Sequence, residues 1–314
     1  MYWNNPYLNE GQWLRGNLHT HTTVSDGIYS PMEVVKLYAE EAKNREIPEM
    51  NYRFLALTDH NKGTKKENFA LPQLDNFVVL EGREETHGKH ILGINCPMNF
   101  DNDSIGKQSS EYTIADYQKV IDNIIAEGGI AILPHPHWSD WNYWTAPEVT
   151  ALENYTAIEI LNGDIFAGPA SIALDIWDAA LSAGKKVWAV GSDDFHTTRD
   201  FHNAWTCVYA KDASKDSIIE ALRHGSAYVS SGAAFKRIYV DGKWIIAECL
   251  DHGCYQDSEK TFRFIGEGGR IIQTQTGKNN VAAYKGQGDE LYIRVELSLA
   301  WGSAYAQPFF RIVS

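Results

Sequence analysis

The stretch NLHTHTTVSDG, residues 17–27, places two histidines one residue apart at the end of a predicted strand. His19 and His21 follow the strand-like run WLRGNL, and Asp26 comes five residues after His21. Imidazole and carboxylate groups bind divalent metal ions, but an H-x-H pair alone also occurs as ordinary polar residues in a loop. The meaning of this stretch therefore depends on whether other His, Asp and Glu residues stand at similar places.

Polar residues of the same types follow the ends of other predicted strands. They are Asp59 and His60 after YRFLAL, Glu81 to Glu84 after NFVVL, His90 before ILGI, His135 after AILP, and Asp194 with His196 after VWAVG. The carboxyl ends of the strands in a parallel α/β fold converge on one face, where sites are built. We therefore expect these side chains to meet in one pocket.

Amphipathic helical segments separate these strands. Ser30, Pro31 and Glu33 have the order of N-cap, first helical residue and capping-box partner, which predicts a helix over residues 30–46. Further helices are predicted over 113–127, 168–183 and 214–224, and a glycine follows each of them. This alternation of strands and helices predicts a parallel sheet, either open or closed into a barrel.

After about residue 228 the pattern changes. The segments 233–250, 260–277, 279–286 and 289–314 have the pattern of short strands separated by Gly, Asp and Asn, and no helix is predicted there. We therefore expect residues 1–228 to form the α/β domain. Residues 229–314 are expected to form a small all-β domain that resembles a sandwich.

The composition argues against several classes of protein. The 314-residue chain carries a net charge of −13 and has no Lys/Arg-rich run, so binding of long DNA or RNA is not expected. No apolar run reaches the ~18 residues of a membrane span, and the N-terminus lacks the basic and apolar regions of a signal peptide. The four cysteines form no C-x-x-C pair. We therefore expect a cytoplasmic protein with reduced thiols that binds no membrane.

Nine residues in this pattern are candidate metal ligands. They are His19, His21, Asp26, His60, Glu84, His90, His135, Asp194 and His196. Imidazole and carboxylate ligands suit Zn, Mn or Fe, and no thiolate stands at these positions. Since one ion needs about four to six ligands including waters, nine protein ligands predict two to three divalent ions.

Five motifs, HTHTTVSDG, LALTDHN, EGREETHGKHILGI, LPHPH and GSDDFH, together resemble those of the polymerase and histidinol phosphatase (PHP) superfamily. The resemblance covers residues 14–226 and implies a distorted (β/α)7 barrel with a trinuclear metal cleft. The segments SAYVSSGAAFKRIYVDG and AWGSAYAQPFFRIV resemble the β-domain of carbaryl-hydrolase-like proteins, a PHP subgroup. The resemblance thus implies a PHP barrel followed by a small sandwich-like domain.

The resemblance also implies how the ligands are distributed. One ion would be bound by His19, His21, Glu84 and Asp194; a second by Glu84, His90 and His135; and a third by Asp26, His60 and His196. The family's D-x-H spacing selects Asp194 over Asp193, and its G-x-E spacing selects Glu84 over Glu81 and Glu85. Asp59 would orient a ligand histidine.

A metal site of this kind indicates hydrolysis. Bound divalent ions lower the pKa of water towards neutrality, and two neighbouring ions can hold the oxygens of a phosphate group. The sequence therefore predicts a metal-dependent phosphoesterase that hydrolyses a small phosphorylated substrate with a metal-bridged hydroxide. The predicted catalytic residues are Asp194, His196 and Glu84, with Asp194 or His196 transferring protons.

Substrate contacts are predicted next to the ligand motifs. Arg199, Lys62 and His137 each follow a candidate ligand within three residues, and the two cations could reach a phosphate. Trp138 is expected to line the mouth of the same cleft.

Other functions are compatible with the same ligands. The first is hydrolysis of a carboxyl or carbamate ester, and the second is action on a small nucleotide. The third is a non-catalytic, metal-stabilised binding protein. The oligomeric state, the native metals and the substrate are left open.

Overall fold

The computed structural model of the chain describes residues 2–7, 10–41, 51–63, 74, 76–96, 109–138, 143–164, 172–251 and 253–312. Within these ranges the chain forms one large mixed sheet, a second sheet of three strands and five α-helices. None of these helices has the length and apolar character that a bilayer span requires. The predicted mixed α/β class is therefore confirmed.

The strands and helices follow one another along the chain. The strands are β1 Gln12–Asn17, β2 Tyr52–Leu57, β3 Val78–Glu85, β4 Ile91–Ile94, β5 Ile130–Leu133, β6 Ala157–Asn162, β7 Trp188–Ser192, β8 Trp205–Ala210, β9 Ala227–Ser230, β10 Phe235–Asp241, β11 Trp244–Cys249, β12 Lys260–Gly266, β13 Arg270–Gly277, β14 Val281–Lys285, β15 Tyr292–Leu299, β16 Gly302–Ala306 and β17 Phe309–Phe310. The helices are α1 Pro31–Lys36, α2 Ile114–Ala126, α3 Ala146–Ala151, α4 Leu174–Ser182 and α5 Lys215–His224.

The large sheet is open. Its strand order is β13-β12-β15-β16-β9-β8-β1-β2-β3-β4-β5-β6-β7, with β17 paired to β15. In the part of the chain that is described, β13 and β7 are the two edges, so the predicted (β/α)7 barrel is not confirmed. Strands β1, β2 and β3 pair in parallel, and so do β5, β6 and β7. Within each of these two groups, the carboxyl ends of the strands lie at the same end of the sheet.

Strand β4 departs from the predicted parallel sheet. It pairs antiparallel with both β3 and β5. Only residues 86–90 connect β3 to β4, whereas a parallel crossover needs roughly a dozen residues or more. The short connection therefore forces a hairpin, and it brings Glu84 and His90 to the same end of the pair.

Side chains take up the backbone groups along the open edge at β7. The Thr206 hydroxyl lies 3.0 Å from the Gly191 nitrogen and 2.8 Å from the Gly191 oxygen. The side-chain amide of Gln307 makes the same pair of hydrogen bonds with Ala189, at 2.8 and 2.7 Å. Side chains therefore bond the backbone groups of Gly191 and Ala189. No backbone ladder joins β7 to β8 among the described residues.

Most helix termini agree with the predicted ends, but the helix predicted over 168–183 begins only at Leu174, and residues 168–171 lie outside the described residues. Ser30 and Glu33 form a capping box at α1, which continues as a π-helical segment, Leu37–Glu41. The rest of that predicted helix, 42–46, lies outside the described residues. Thr113 caps α2, and α5 runs from the Ser214 cap to Gly225 in the left-handed conformation. Helix α3, with a capping box between Thr145 and Glu148, was not predicted.

The C-terminal strands belong to two sheets that share a buried core, and the sandwich-like domain stays a prediction. The small sheet has the order β10-β11-β14, and its residues Ile245 and Tyr284 share a buried core with Phe264 and Val295 of the large sheet. The ladder nevertheless continues across residue 228, because β9 pairs with β8 on one side and with β16 on the other. The domain boundary at 228 stays a prediction.

A buried ion pair joins the C-terminal strands to the helical layer. Arg294 on β15 binds both carboxylate oxygens of Asp178 on α4, at 2.8 and 2.6 Å, and both residues are buried. The Tyr292 hydroxyl donates to the same carboxylate at 2.9 Å. This network ties β15 to α4.

We expect Arg294→Met to destabilise the fold by about 3–5 kcal/mol, because it leaves the Asp178 carboxylate buried without its cation. Urea unfolding measures this loss. The control is Arg237→Met, which removes an exposed pair with Glu248 and should change the free energy of unfolding little. Equal effects of the two substitutions would contradict the assigned role.

Candidate metal centre

The structure brings all nine predicted side chains into one cluster. His19 and His21 follow β1, His60 follows β2, Glu84 is the last but one residue of β3, His90 precedes β4, His135 follows β5, and Asp194 and His196 follow β7. Asp26 lies in the loop after His21. His19, His21, Glu84, His135 and Asp194 are buried, while Asp26 is the most exposed of the nine. These side chains converge because the carboxyl ends of parallel strands lie at the same end of the sheet.

Glu84 lies at the centre of the cluster. Its Oε1 is 3.3 Å from His19 Nε2, 2.9 Å from His90 Nδ1 and 3.2 Å from His135 Nε2. Its Oε2 is 3.4 Å from His21 Nε2 and 2.9 Å from His60 Nδ1. One buried carboxylate thus faces five imidazoles that come from four different strand ends.

A second carboxylate, Asp26, gathers the outer part of the cluster. Its Oδ2 lies 3.4 Å from His60 Nε2 and 3.5 Å from His196 Nε2, and its Oδ1 lies 3.6 Å from His21 Nδ1. Asp194 Oδ1 lies 3.2 Å from the Nε2 atoms of both His19 and His21. These contacts connect the inner and outer parts of the cluster.

Many of these close atoms are not hydrogen-bonded to one another. Among the described residues, His19 Nε2, His21 Nε2, His60 Nδ1, Glu84 Oε2 and Asp194 Oδ1 are buried without a hydrogen-bond partner. Buried polar atoms are rarely left in this state, so a group of them that converges needs an explanation. The donor set, imidazole nitrogen and carboxylate oxygen, is one that Zn, Mn and Fe accept. The residues therefore fit divalent metal ions.

Four sets of ligand atoms in the cluster each lie within 4.8 Å of one another. The sets are His21, Asp26, His60 and His196; His19, His21 and Asp194; His19, Glu84 and His135; and His60, Glu84 and His90. The first set contains all three residues expected to bind the third ion. The second set lacks only Glu84 of the four expected at the first ion. His90 and His135 fall into separate sets, each with Glu84.

The charges in the cluster shift its pKa values in opposite directions. Burial opposes the charged form of His60, but the neighbouring carboxylates of Asp26 and Glu84 outweigh it and raise the pKa of His60 to about 10. For His196, burial is likewise outweighed by Asp26 and Asp194, which raise its pKa to about 9. Burial alone would raise the pKa of Glu84, but His19 and His90 hold it well below its usual range.

Two candidate ligands have backbone conformations that L-residues seldom adopt. His135 has a φ of 31° and Asp194 has a φ of 50°. Such conformations persist when the surroundings hold them in place. Phe195 is fully buried, and its backbone exchanges hydrogen bonds with His19 and His21, which fixes the turn at Asp194. The strain therefore lies at the positions that aim ligand side chains into the cluster.

A buried carboxylate that was not predicted stabilises the cluster. Glu159 on β6 lies 3.3 Å from His19 Nδ1 and accepts from the His135 backbone nitrogen at 2.9 Å and from Asn162 at 2.8 Å. Asn162 also donates to Asp194 Oδ2 at 3.1 Å. Glu159 thereby directs His19 Nε2 toward Glu84 and Asp194. A carboxylate inside the fully buried strand AIEILN was the signal that could have identified it.

Two further aspartates hold the loops around the cluster. Asp59 accepts from the backbone nitrogens of Thr22 and Ser25 at 2.7 and 3.2 Å, so these contacts support the loop that carries Asp26. Asp193 accepts from Tyr38 and from backbone nitrogens in the loop 202–204. Asp194, not Asp193, faces the cluster, and Glu84, not Glu81 or Glu85, lies at its centre. These positions agree with the choices that the motif spacing implied.

A cleft of about 550 Å³ opens over the cluster. Its described lining consists of Asp26, His60, Glu84, His90, His135, Asp194 and His196 together with Thr86, Trp138, Asp164 and Asp200. The volume suits a small molecule. All three predicted catalytic residues are in the lining, and so is Trp138.

The three predicted substrate contacts lie outside this described lining. Arg199 and Lys62 are exposed, and the Lys62 ammonium donates to the Val24 oxygen at 3.0 Å. His137 is buried, with its Nε2 2.7 Å from Asp175 Oδ1. A role for these residues in substrate binding stays a prediction.

No model of a known protein family and no curated protein matches the chain. A solved structure aligns over almost its whole length: a two-domain protein from Bacteroides vulgatus ATCC 8482 containing a predicted PHP-like metal-dependent phosphoesterase. It is 15% identical, the alignment covers 99% of this chain and 98% of that chain, and the TM-score is 0.52. The chain therefore shares the overall fold of that structure. The predicted resemblance to the PHP superfamily is thus confirmed at the level of the fold.

A second solved structure, PsfC from Pseudomonas syringae PB-5123, is 14% identical with a TM-score of 0.43. That alignment covers 67% of this chain and 87% of that chain.

We expect Glu159→Gln to weaken the binding of Mn²⁺ or Zn²⁺ by about 10–100-fold, because it removes the carboxylate that orients His19. Titration calorimetry on chelator-treated protein measures the affinity. The control is Glu153→Gln, an exposed residue paired with Lys185. An unchanged affinity in Glu159→Gln would show that His19 needs no such partner.

We expect the metal-free protein to lose stability as the pH rises from about 6.5 towards 10. The raised pKa values mean that the folded chain binds the protons of His60 and His196 more tightly than the unfolded chain does. This contribution is fully present below the ordinary histidine pKa of about 6.5. It is lost as the pH rises through the folded values of about 9 and 10.

Thermal unfolding in the presence of a chelator follows this loss. The double variant His60→Gln/His196→Gln retains the titration of lysine and tyrosine but lacks these two groups. A pH dependence identical to that of the unsubstituted protein would exclude the two histidines as its source.

Proposed function

We propose that the protein is a metal-dependent phosphoesterase that binds two to three divalent ions, Mn, Fe or Zn, in a trinuclear site and hydrolyses a small phosphorylated substrate. The observation that supports this most directly is the convergence of nine imidazole and carboxylate groups at the floor of one cleft. Several of their buried atoms have no hydrogen-bond partner among the described residues. The PHP-like fold is consistent with the proposal.

The nine predicted ligands would hold the ions in the distribution that the resemblance implies. When bound, the ions would supply Lewis acidity and a water of lowered pKa. Glu84 would help to hold more than one ion, since its two oxygens face different histidines. Asp26, His60 and His196 form a complete set at the outer side of the cleft.

The residues of the chain would hold and transfer protons. His196 lines the cleft, and its Nδ1 lies 2.8 Å from the backbone oxygen of Asp194, which fixes the ring. Its Nε2 faces Asp26, the most exposed carboxylate of the cluster. His196 is therefore placed to exchange a proton between the cleft and solvent when its Nε2 binds no ion, because a nitrogen bound to a metal has no proton to exchange. Burial would raise the pKa of Asp194, but His19 and His21 lower it. Asp194 therefore stays an acceptor.

One observation favours a second candidate, the hydrolysis of a carboxyl or carbamate ester. Among the described lining residues there is no Lys or Arg to pair with a phosphate, and Trp138 adds an apolar surface. Arg199 and Lys62 would have to turn toward the cleft to serve a phosphate. The same metal chemistry acts on either bond.

The decisive experiment measures metal content by mass spectrometry together with turnover on phosphate-ester and carboxyl-ester panels. We expect two to three ions per chain and phosphatase activity. Glu84→Gln should lose metal and at least about a hundredfold of the turnover, whereas Glu81→Gln on the same strand should lose neither.

The other outcomes separate the alternatives. Turnover of carboxyl esters alone would favour the second candidate. Bound metal with no turnover on either panel, after loading with Mn, Fe and Zn, would point to a binding protein. We further propose a cytoplasmic enzyme that acts on a small molecule rather than on long nucleic acid.

A further inference from the structure

Asp200 lies in the loop after β7, four residues beyond His196, and lines the cleft. It is only 2% exposed, although it belongs to a loop. It is neither one of the candidate ligands nor a residue of the motifs that predicted them. A buried carboxylate at this position needs a reason.

The two oxygens of Asp200 have different surroundings. Oδ2 accepts from the backbone nitrogens of His196 and Thr197 at 3.0 and 2.8 Å, and the Thr197 hydroxyl lies 3.3 Å away. Oδ1 is buried and has no hydrogen-bond partner among the described residues. One oxygen therefore anchors the turn that carries His196, and the other is left for a group that enters the cleft.

The carboxylate of Asp200 determines which chemical group of a substrate it can bind. A carboxylate only accepts hydrogen bonds, and it repels the oxygens of a phosphate. A phosphorylated substrate would therefore place its phosphate on the histidine cluster and turn a donor of its organic part toward Asp200. A hydroxyl and an ammonium group are the donors that such a carboxylate accepts.

We propose that Asp200 is a substrate-binding residue whose Oδ1 accepts a hydrogen bond from a hydroxyl or ammonium group on the organic part of the substrate. This inference rests on the proposed phosphoesterase function. It narrows the substrate class to phosphate esters that carry such a donor.

Asp200→Asn separates this role from the anchoring of the loop. The two backbone donors at Oδ2 require an acceptor there, so the amide oxygen of the variant takes that place. Its NH₂ group then occupies the position of Oδ1 and turns an acceptor into a donor. The matched control is Asp212→Asn, an exposed aspartate that likewise accepts from a backbone nitrogen, that of Ser214 at 3.0 Å.

The experiment compares three probes with the Mn²⁺-loaded enzyme: propyl phosphate, glycerol 3-phosphate and 3-aminopropyl phosphate. We expect the unsubstituted enzyme to prefer one or both donor-bearing probes by about 10–100-fold in kcat/KM, as a hydrogen bond to a charged acceptor allows. Asp200→Asn should abolish this preference by lowering kcat/KM for the donor-bearing probes, whereas Asp212→Asn should keep it. The metal content of Asp200→Asn should equal that of the unsubstituted enzyme and of Asp212→Asn.

Several results would overturn the inference. One is the absence of a preference in the unsubstituted enzyme, which needs no variant to detect. Another is a preference that survives Asp200→Asn. A third is loss of metal with an equal loss on all three probes, which would leave Asp200 only a positioning residue. If the unsubstituted enzyme hydrolyses none of the three probes but turns over other esters of the phosphate panel, this inference fails alone. Absence of turnover on the whole phosphate panel overturns the proposed function, and this inference fails with it.

Discussion

The cluster depends on one constraint, the burial of the Glu84 carboxylate among five imidazoles. A carboxylate without solvent is costly unless opposite charges or hydrogen bonds compensate it. His19 and His90 supply the largest compensation, and they hold the pKa of Glu84 low. Because these rings come from different strand ends, compensation is possible only when the strands are in register. The electrostatics of one residue therefore constrain the relative positions of strands β1 to β5.

A second layer of carboxylates transmits this constraint to the backbone. Glu159 fixes His19 and the His135 turn, Asp59 fixes the loop before Asp26, and Asp193 fixes the loop 202–204. Each accepts hydrogen bonds from backbone nitrogens, so each stabilises a loop that lacks a ladder of its own. The left-handed backbone at His135 is tolerated because Glu159 holds it, and that at Asp194 because the Phe195 backbone bonds to His19 and His21. Metal ions and protons would compete for the same histidine nitrogens, so metal affinity should rise with pH.

The sequence was sufficient to predict the cluster because His, Asp and Glu residues recur at the ends of the predicted strands. The carboxyl ends of parallel strands lie at the same end of a sheet. It also predicted the capping box at Ser30 and the end of α5 before Gly225, which are local features. It did not predict the antiparallel β4, although the short link 86–90 required it. Glu159 and Asp200 were missed because their roles depend on contacts between residues distant in the chain or on a loop conformation. Sheet closure could not be predicted from any local pattern.

The C-terminal region supplies hydrogen-bond partners for β7, the strand that precedes Asp194. β7 carries Asp194 just beyond its end, and it is an edge strand of the described sheet. An edge strand exposes backbone groups that need partners. Thr206 bonds both groups of Gly191, and Gln307, buried near the C-terminus, bonds both groups of Ala189. The position of Asp194 is thus supported by residues on both sides of 228, so the C-terminal strands form part of the framework of the site.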